Sequence, residues 1–339
     1  MDSYFNNSSW NSQIETLHKD LLNIDLESID IKDYTRFYLI KYLTNLKYEL
    51  KLNSEILLAV VSNLEQDLSK LTLLDFGSGI GMISFLASRV GIGKVIQIDN
   101  NAEVLNDSKT LARALEIPNI QQFNSLEMLL NSKDSISIDG VISRDVIEHV
   151  YDLNSLFKLL NRLPENRIMV HNTSANMYNL WLKKYFRRIH ETYENELVIN
   201  ERDGSKCTSY SDQRKEYLLE RFDSLNSSDI SELVRRTKGL TFQLMDKLNH
   251  DELLLLNPAD TNTCDPKSGN WAERLLPLDE YRKLGDSVGY SLTIKSGSVN
   301  DFNGGFSSLL KKGLNWTNQR NITGPALWPS LSLIYKKDK

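Results

Sequence analysis

The stretch Leu73-Leu-Asp-Phe-Gly-Ser-Gly-Ile-Gly-Met-Ile-Ser-Phe85 decides how the chain folds. It reads as a buried strand, a tight glycine turn and the start of a helix. Gly77, Gly79 and Gly81 lack the Cβ atoms that hold a ligand away from the backbone. The helix behind the turn points its N-terminal N–H groups and positive dipole end into it, which suits a nucleotide-like ligand. Lys94-Val-Ile-Gln-Ile-Asp-Asn100 reads as a second strand ending in an acid. Asp99 lies about twenty residues past the turn, where a carboxylate accepts both hydroxyls of a ribose.

Asp75-Phe-Gly-Ser-Gly-Ile-Gly81 resembles motif I of the class I S-adenosylmethionine-dependent methyltransferases, which set an acid two residues before the first glycine. Dinucleotide-binding dehydrogenases space their glycines G-x-G-x-x-G, whereas these are G-x-G-x-G. Ser143-Arg-Asp-Val-Ile-Glu-His-Val150 resembles the D-x-x-E-H segment that ends strand four in many small-molecule methyltransferases, including those of quinone biosynthesis. The resemblance spans residues 71–173 and, more faintly, the C-terminal strands. It implies an α/β fold: a seven-stranded Rossmann-like sheet with strand seven antiparallel between five and six. N-terminal helices precede that sheet, and a mainly helical insertion follows strand five.

The resemblance also implies roles. Gly77, Gly79 and Gly81 receive the amino-acid end of S-adenosylmethionine, Asp75 meets its amino group directly or through water, and Asp99 holds the ribose. Asn100 flanks the adenine. Asn124 or Ser125 stands where the family often has an acid near the adenine amino group, and the backbone of Arg144 lies beside the cofactor. The cofactor carboxylate needs a cation, and Arg36 on an upstream helix offers a bidentate guanidinium. Asp145, Glu148 and His149 follow strand four. Asp145 and His149 stand four apart, about one helical turn, and an imidazole suits proton removal from a hydroxyl nucleophile. His171 ends strand five and is expected to open into the same cleft. Glu148, His149 and His171 then resemble the metal site of small-RNA 2′-O-methyltransferases. The match is incomplete: the first acid is Asp145 and His190 is the only later candidate histidine, so no metal is assigned. His171, Asn172, Trp181 and Tyr185 are taken as substrate-side residues, with Tyr193, Tyr210, Arg187 and Arg188 nearby in sequence.

The chain has 339 residues, 40% of them hydrophobic, and a formal charge of −5. That acidic balance argues against a general nucleic-acid or anionic-membrane binder, while leaving room for a local basic patch. Cys207 and Cys264 are isolated and lack metal-ligand spacing. No apolar run approaches the roughly 20 residues that span a bilayer, and the N-terminus has neither a basic nor an apolar leader region. A reduced, cytoplasmic protein is expected, acting on a small molecule or on a peptide or glycan acceptor.

Along the chain, residues 1–70 read as an N-terminal helical cap, with a loosely ordered start before residue 30. Helical spacing covers 33–43 and 54–64, and Ser54 is a plausible N-cap. Residues 71–173 form the cofactor-binding core, 174–277 a helical lid and 278–339 the rest of the core. Strands are expected at 71–76, 94–99, 119–124, 138–144, 167–172, 289–295 and 331–335. Asp229 and Glu232 fit a capping box, and 297–325 reads as a long Gly- and Asn-rich loop. The implied activity is methyl transfer to a small or medium-sized acceptor, oxygen favoured over nitrogen or carbon. A non-catalytic binding or scaffold protein of the same fold is the alternative, and a nicotinamide-dependent oxidoreductase stands behind it.

Overall fold

The computed structural model describes residues 8–132, 136–199, 206–222, 225–257, 261–302 and 305–338. The chain divides into two compact units. One comprises Met1–Val146, Asn154–Ser174 and Leu278–Lys339, the other Ile147–Leu153 and Ala175–Pro277.

The first unit is built on a seven-stranded sheet. Its parallel strands are β1 (Thr72–Phe76), β2 (Lys94–Ile98), β3 (Ile120–Phe123), β4 (Gly140–Arg144) and β5 (Ile168–Thr173). The hairpin β6 (Val198–Ile199) and β7 (Lys206–Cys207) belongs to the second unit, and β8 (Tyr290–Ser296) and β9 (Leu331–Lys337) complete the sheet. Strand order is β3-β2-β1-β4-β5-β9-β8, with β9 antiparallel to both neighbours. This is the expected topology, the last strand inserted beside the fifth. The central residues of β1 and all of β5 are buried, as strands covered on both faces must be, which explains their unbroken apolar runs.

Helices α1 (Ser8–Leu22), α2 (Asp33–Thr44) and α3 (Leu46–Val61) precede the sheet; α4 (Met82–Arg89), α5 (Ala102–Ala114), α6 (Leu126–Leu130) and α7 (Leu153–Asn161) alternate with its strands. One apolar core joins Leu17, Leu50, Leu57 and Val60 of α1 and α3 to Leu73, Phe85, Val95, Ile142 and Ile334. The N-terminal helices therefore share the core of the sheet. Residues 8–22 are helical, within the expected N-terminal helical cap, and the expected loose start at residues 1–7 lies outside the described residues. One local expectation fails: Ser54 lies inside α3, its Oγ accepting from Trp10 Nε1 at 2.9 Å. The N-cap pattern at Ser54 yields because an apolar stripe runs through it from Leu46 to Val61, and that stripe packs on the sheet.

The second unit carries α8 (Leu180–Asn195), α9 (Tyr210–Arg221), α10 (Ser227–Arg236), α11 (Phe242–Met245) and α12 (His250–Leu254). Leu218, Ile230, Leu233, Met245 and Leu253 form its apolar core. Arg214 is fully buried and pairs with Glu194, which also accepts from Thr263 Oγ1 at 2.6 Å. Asn226, not Asp229, caps α10, because its side chain reaches the N–H groups of Ser228 and Asp229. The capping box occurs instead at Asn249 and Glu252. In the first unit, α13 (Leu278–Asp286) precedes β8, and α14 (Gly305–Gln319) occupies most of the expected 297–325 loop.

Candidate functional site

The strand order reverses between β1 and β4, and at such a switch point the carboxyl ends of the strands leave a crevice. A cavity of about 330 Å³ opens there, lined by the glycine turn, Asp75, Arg144, Asp145 and side chains of α2 and α3. Gly77, Gly79 and Gly81 hold φ values of +70°, +51° and +89°, the left-handed region that other residues enter only with strain. The N–H groups of Gly77 and Ser78 both donate to the Ile98 carbonyl, at 2.8 and 3.0 Å, which folds the turn back over the end of β2. Gly81 begins α4 with no side-chain cap of its own, and of the first-turn amides of that helix the Ser84 N–H serves the Asp75 carboxylate.

Asp99 is part of the turn's construction. Its Oδ2 accepts from Gly79 N at 2.9 Å and its Oδ1 from Asn101 N at 2.9 Å. Asp75 is buried, accepts from Ser84 Oγ at 2.7 Å and lines the cavity. Burial pushes its carboxyl up to about 7; the Ser84 hydrogen bond opposes that rise and the Asp99 charge adds to it. Asn100 and Asn124 stand exposed at the ends of β2 and β3, while Ser125 caps α6 through Met128 N. A buried acid that lacks a cation and a turn of open backbone are what an amino-acid group and a nucleoside require, so the residues present fit S-adenosylmethionine.

The wall opposite the turn escaped sequence reasoning. Tyr34, Tyr38 and Tyr42 recur every four residues along α2 and all line the cavity. The spacing was visible, but a stripe at helical period reads equally as core. Arg144 is placed here by its side chain rather than by its backbone alone. Its guanidinium lies 2.7 Å from Glu49 Oε2, donates to Asn53 Oδ1 at 3.0 Å and reaches to 3.5 Å from Asp145 Oδ2. Burial works against its charge, and the Glu49 and Asp145 carboxylates outweigh it, so its pKa rises. Tyr42, whose hydroxyl accepts from Asn53 Nδ2 at 2.8 Å, is kept protonated by burial.

Arg36 does not take the expected role. Its terminal nitrogens donate to the carbonyls of Leu26, Ile29 and Ile31, bracing the segment between α1 and α2, and it does not line the cavity. The cation at the cavity is Arg144. His171 is also corrected. It is fully buried, its Nδ1 lies 2.7 Å from Ser143 Oγ, and its ring packs on Phe157 and Tyr335. Burial alone lowers its pKa to about 3, so it is a neutral core residue rather than a substrate contact. Alternation along β5 decides this: the side chains of adjacent residues take opposite faces, and His171 takes the packed one. Asn172 points its amide toward Ser330 Oγ at 3.4 Å.

The segment after β4 is a turn, not a helix, so Asp145 and His149 are not stacked one helical turn apart. Asp145 has φ +51°, its N–H donates to the Asn172 carbonyl, and its Oδ1 accepts from Ser174 N at 3.1 Å. An Asp tolerates this left-handed geometry better than most residues, and here it clamps the ends of β4 and β5. In the second unit the carbonyls of Glu148 and His149 accept from the N–H groups of Arg274 and Trp271. Glu148 is buried. His149 Nδ1 lies 2.9 Å from the Trp271 carbonyl, and Nε2 is 3.8 Å from Glu273 Oε1. Trp181 and Tyr185 are exposed on α8. Among the described residues, no group of three or more His, Cys, Asp and Glu is gathered that could hold a metal ion. No described helix is long and apolar enough to cross a membrane.

No curated protein sequence matches the chain. Similar solved structures include the YcgJ protein of Bacillus subtilis, at 11% identity and a TM-score of 0.43 over 85% of this chain and 98% of that one. An S-adenosylmethionine-dependent methyltransferase of Mesorhizobium loti is 12% identical, with a TM-score of 0.41 over 84% of this chain and 100% of that one. Residues 67–232 match the family described as a methyltransferase domain. With that match, the inserted antiparallel last strand and the glycine turn over the switch-point cavity, the chain carries a class I, Rossmann-like methyltransferase domain that uses S-adenosylmethionine.

Proposed function

We propose that the protein methylates an oxygen nucleophile of a small or medium-sized acceptor, with His149 as the proton acceptor. The observation that carries this reading is the hydrogen bond at His149 Nδ1. A carbonyl only accepts, so Nδ1 carries the proton and Nε2 keeps its lone pair. Glu273 Oε1 lies 3.8 Å from that Nε2. The Glu148 and His149 carbonyls fix the turn that carries this imidazole by accepting from Arg274 and Trp271, and the exposed Trp181 and Tyr185 are assigned to the acceptor. The free thiols Cys207 and Cys264 fit a reducing, cytoplasmic setting.

S-adenosylmethionine supplies an electrophilic methyl group on a sulfonium. The chain's task is alignment, exclusion of water and removal of the acceptor's proton. The test is transfer of labelled methyl from S-adenosylmethionine into fractionated extracts. His149→Gln is expected to lower transfer about hundredfold while leaving S-adenosylhomocysteine binding unchanged. Unaltered transfer in that variant would exclude His149 as the base. Cofactor binding without labelling of any fraction would favour the scaffold reading.

Asp75 gives the cofactor step a pH dependence. A cationic amino group beside Asp75 favours the ionised carboxylate, so binding releases the proton that Asp75 holds below about pH 7. S-adenosylmethionine affinity is therefore expected to be full above that value and about tenfold weaker one unit below it. Asp75→Asn should flatten the profile in calorimetric titrations. In the ligand-free protein the same raised carboxyl acts oppositely. From its ordinary value of 3.8 up to about 7 the folded chain keeps a proton that the unfolded chain has released. Stability from this group thus falls with rising pH across that window.

A further inference from the structure

Helix α14 is inside out. Among its described residues, the side chains it buries are polar: Ser308, Asn315 and Asn318 are 6%, 4% and 1% exposed. Three large apolar side chains are turned outward: Leu309, Leu310 and Trp316 are 65%, 63% and 52% exposed. The inner face is anchored by hydrogen bonds rather than by packing. Asn315 accepts from Val299 N at 2.8 Å and donates to the Val299 carbonyl at 3.0 Å and to Asp301 Oδ2 at 3.1 Å. Ser308 Oγ donates to the Asp301 carbonyl, Thr323 Oγ1 donates to Asn318 Oδ1, and Asp301 is paired with Lys51 of α3 at 3.2 Å. The helix is thus held in place with its apolar face in water, the reverse of a helix that belongs to a globular surface. Ile322 and Leu327 extend the exposed patch beyond its C-terminus.

The charge carried by this segment is one-sided. Residues 302–330 contain Lys311, Lys312 and Arg320 and no Asp or Glu, in a chain whose net charge is −5. Arg320 lies over the Trp316 ring, 4.3 Å from its centroid. Leucine and tryptophan beside lysine and arginine on one short helix are the composition of a helix that lies in a lipid headgroup layer. Its apolar side chains enter the acyl boundary and its cations meet anionic headgroups. A symmetric second copy is the poorer occupant, because a two-fold contact would set these cations against their own duplicates. We propose that α14 docks the protein on an anionic bilayer surface, so that the enzyme works at a membrane without spanning it.

Sedimentation of the full chain with sucrose-loaded vesicles tests this, comparing phosphatidylcholine alone with phosphatidylcholine mixed with phosphatidylglycerol. Binding is expected to the mixed vesicles and to weaken with added salt. Lys312→Ala should reduce partitioning about fivefold, and Trp316→Ser with Leu310→Ser about tenfold or more. Both variants alter only exposed side chains, and unchanged S-adenosylhomocysteine binding verifies that they are folded. Absence of binding to the mixed vesicles overturns the proposal. So does equal partitioning of the variants and the parent. Concentration-dependent dimerisation lost in the same variants would assign the face to a second copy, and retention on an RNA homopolymer would assign it to nucleic acid; each counts against the membrane.

Discussion

Asp99→Ala is expected to lower affinity for S-adenosylhomocysteine by about a hundredfold or more in calorimetric titration. The carboxylate has two tasks at this position. In the free protein it accepts from the N–H groups of Gly79 and Asn101, tying the glycine turn to the end of β2. By resemblance it also accepts the ribose hydroxyls. Charge-assisted hydrogen bonds contribute about 1.5–3 kcal/mol each. Losing the ribose contacts and loosening the turn together therefore removes well over the roughly 1.4 kcal/mol that makes one decade. Asp99→Asn keeps an acceptor for Gly79 and loses only the charge, so an intermediate loss of about tenfold is expected. Equal binding by all three proteins would mean that the ribose is held elsewhere.

Gly81→Ala should cost about 3 kcal/mol of stability, read from the shift of a urea unfolding transition. At φ +89° an L-residue is strained by about 1–2 kcal/mol. There is also no room for the added carbon. A Cβ at this position would lie 2.4 Å from Ser108 Oγ, 2.5 Å from Gln97 Nε2 and 2.9 Å from Phe85. Ser108 donates to Gln97 Oε1, which also accepts from Gln122, so relieving the clash disturbs a buried polar network. Gly79→Ala is the matched comparison. Its φ is +51°, but nothing lies within 4 Å of the added Cβ, so it should cost only the strain of about 1–2 kcal/mol. Equal losses in the two variants would show that strain alone, not space, makes glycine necessary at 81.

Several features were legible because their causes are local. The apolar run 71–76, the glycines behind it and the acid at 99 each follow from backbone sterics and strand burial within a few residues. Residues 8–22 and 305–319 were not legible as helices. In the first, the apolar positions Trp10, Leu17 and Leu21 are diluted among Asn, Ser and acids. In the second, the buried residues are asparagine and serine, so the period that marks a helix carries the wrong polarity. Ser54 and Asp229 show the limit of cap patterns: each has the right residue type, but the apolar stripe of α3 already begins at Leu46 and the Asn226 side chain already caps α10.

Sequence by itself determined the alternating α/β core, the switch-point turn and the methyltransferase family, since strand, turn and helix signals lie within single short segments. Tertiary structure alone decided which side chains reach the cavity. Arg36 and Arg144 look alike in sequence. One is engaged by three carbonyls of its own neighbourhood, while the other is drawn between Glu49 and Asn53, some ninety residues away. His171 and Asn172 are adjacent on β5, and the pleat buries the histidine ring against Phe157 and Tyr335 while the amide turns toward Ser330. Partners distant along the chain leave no trace in local periodicity, because their meeting is set by how whole elements pack.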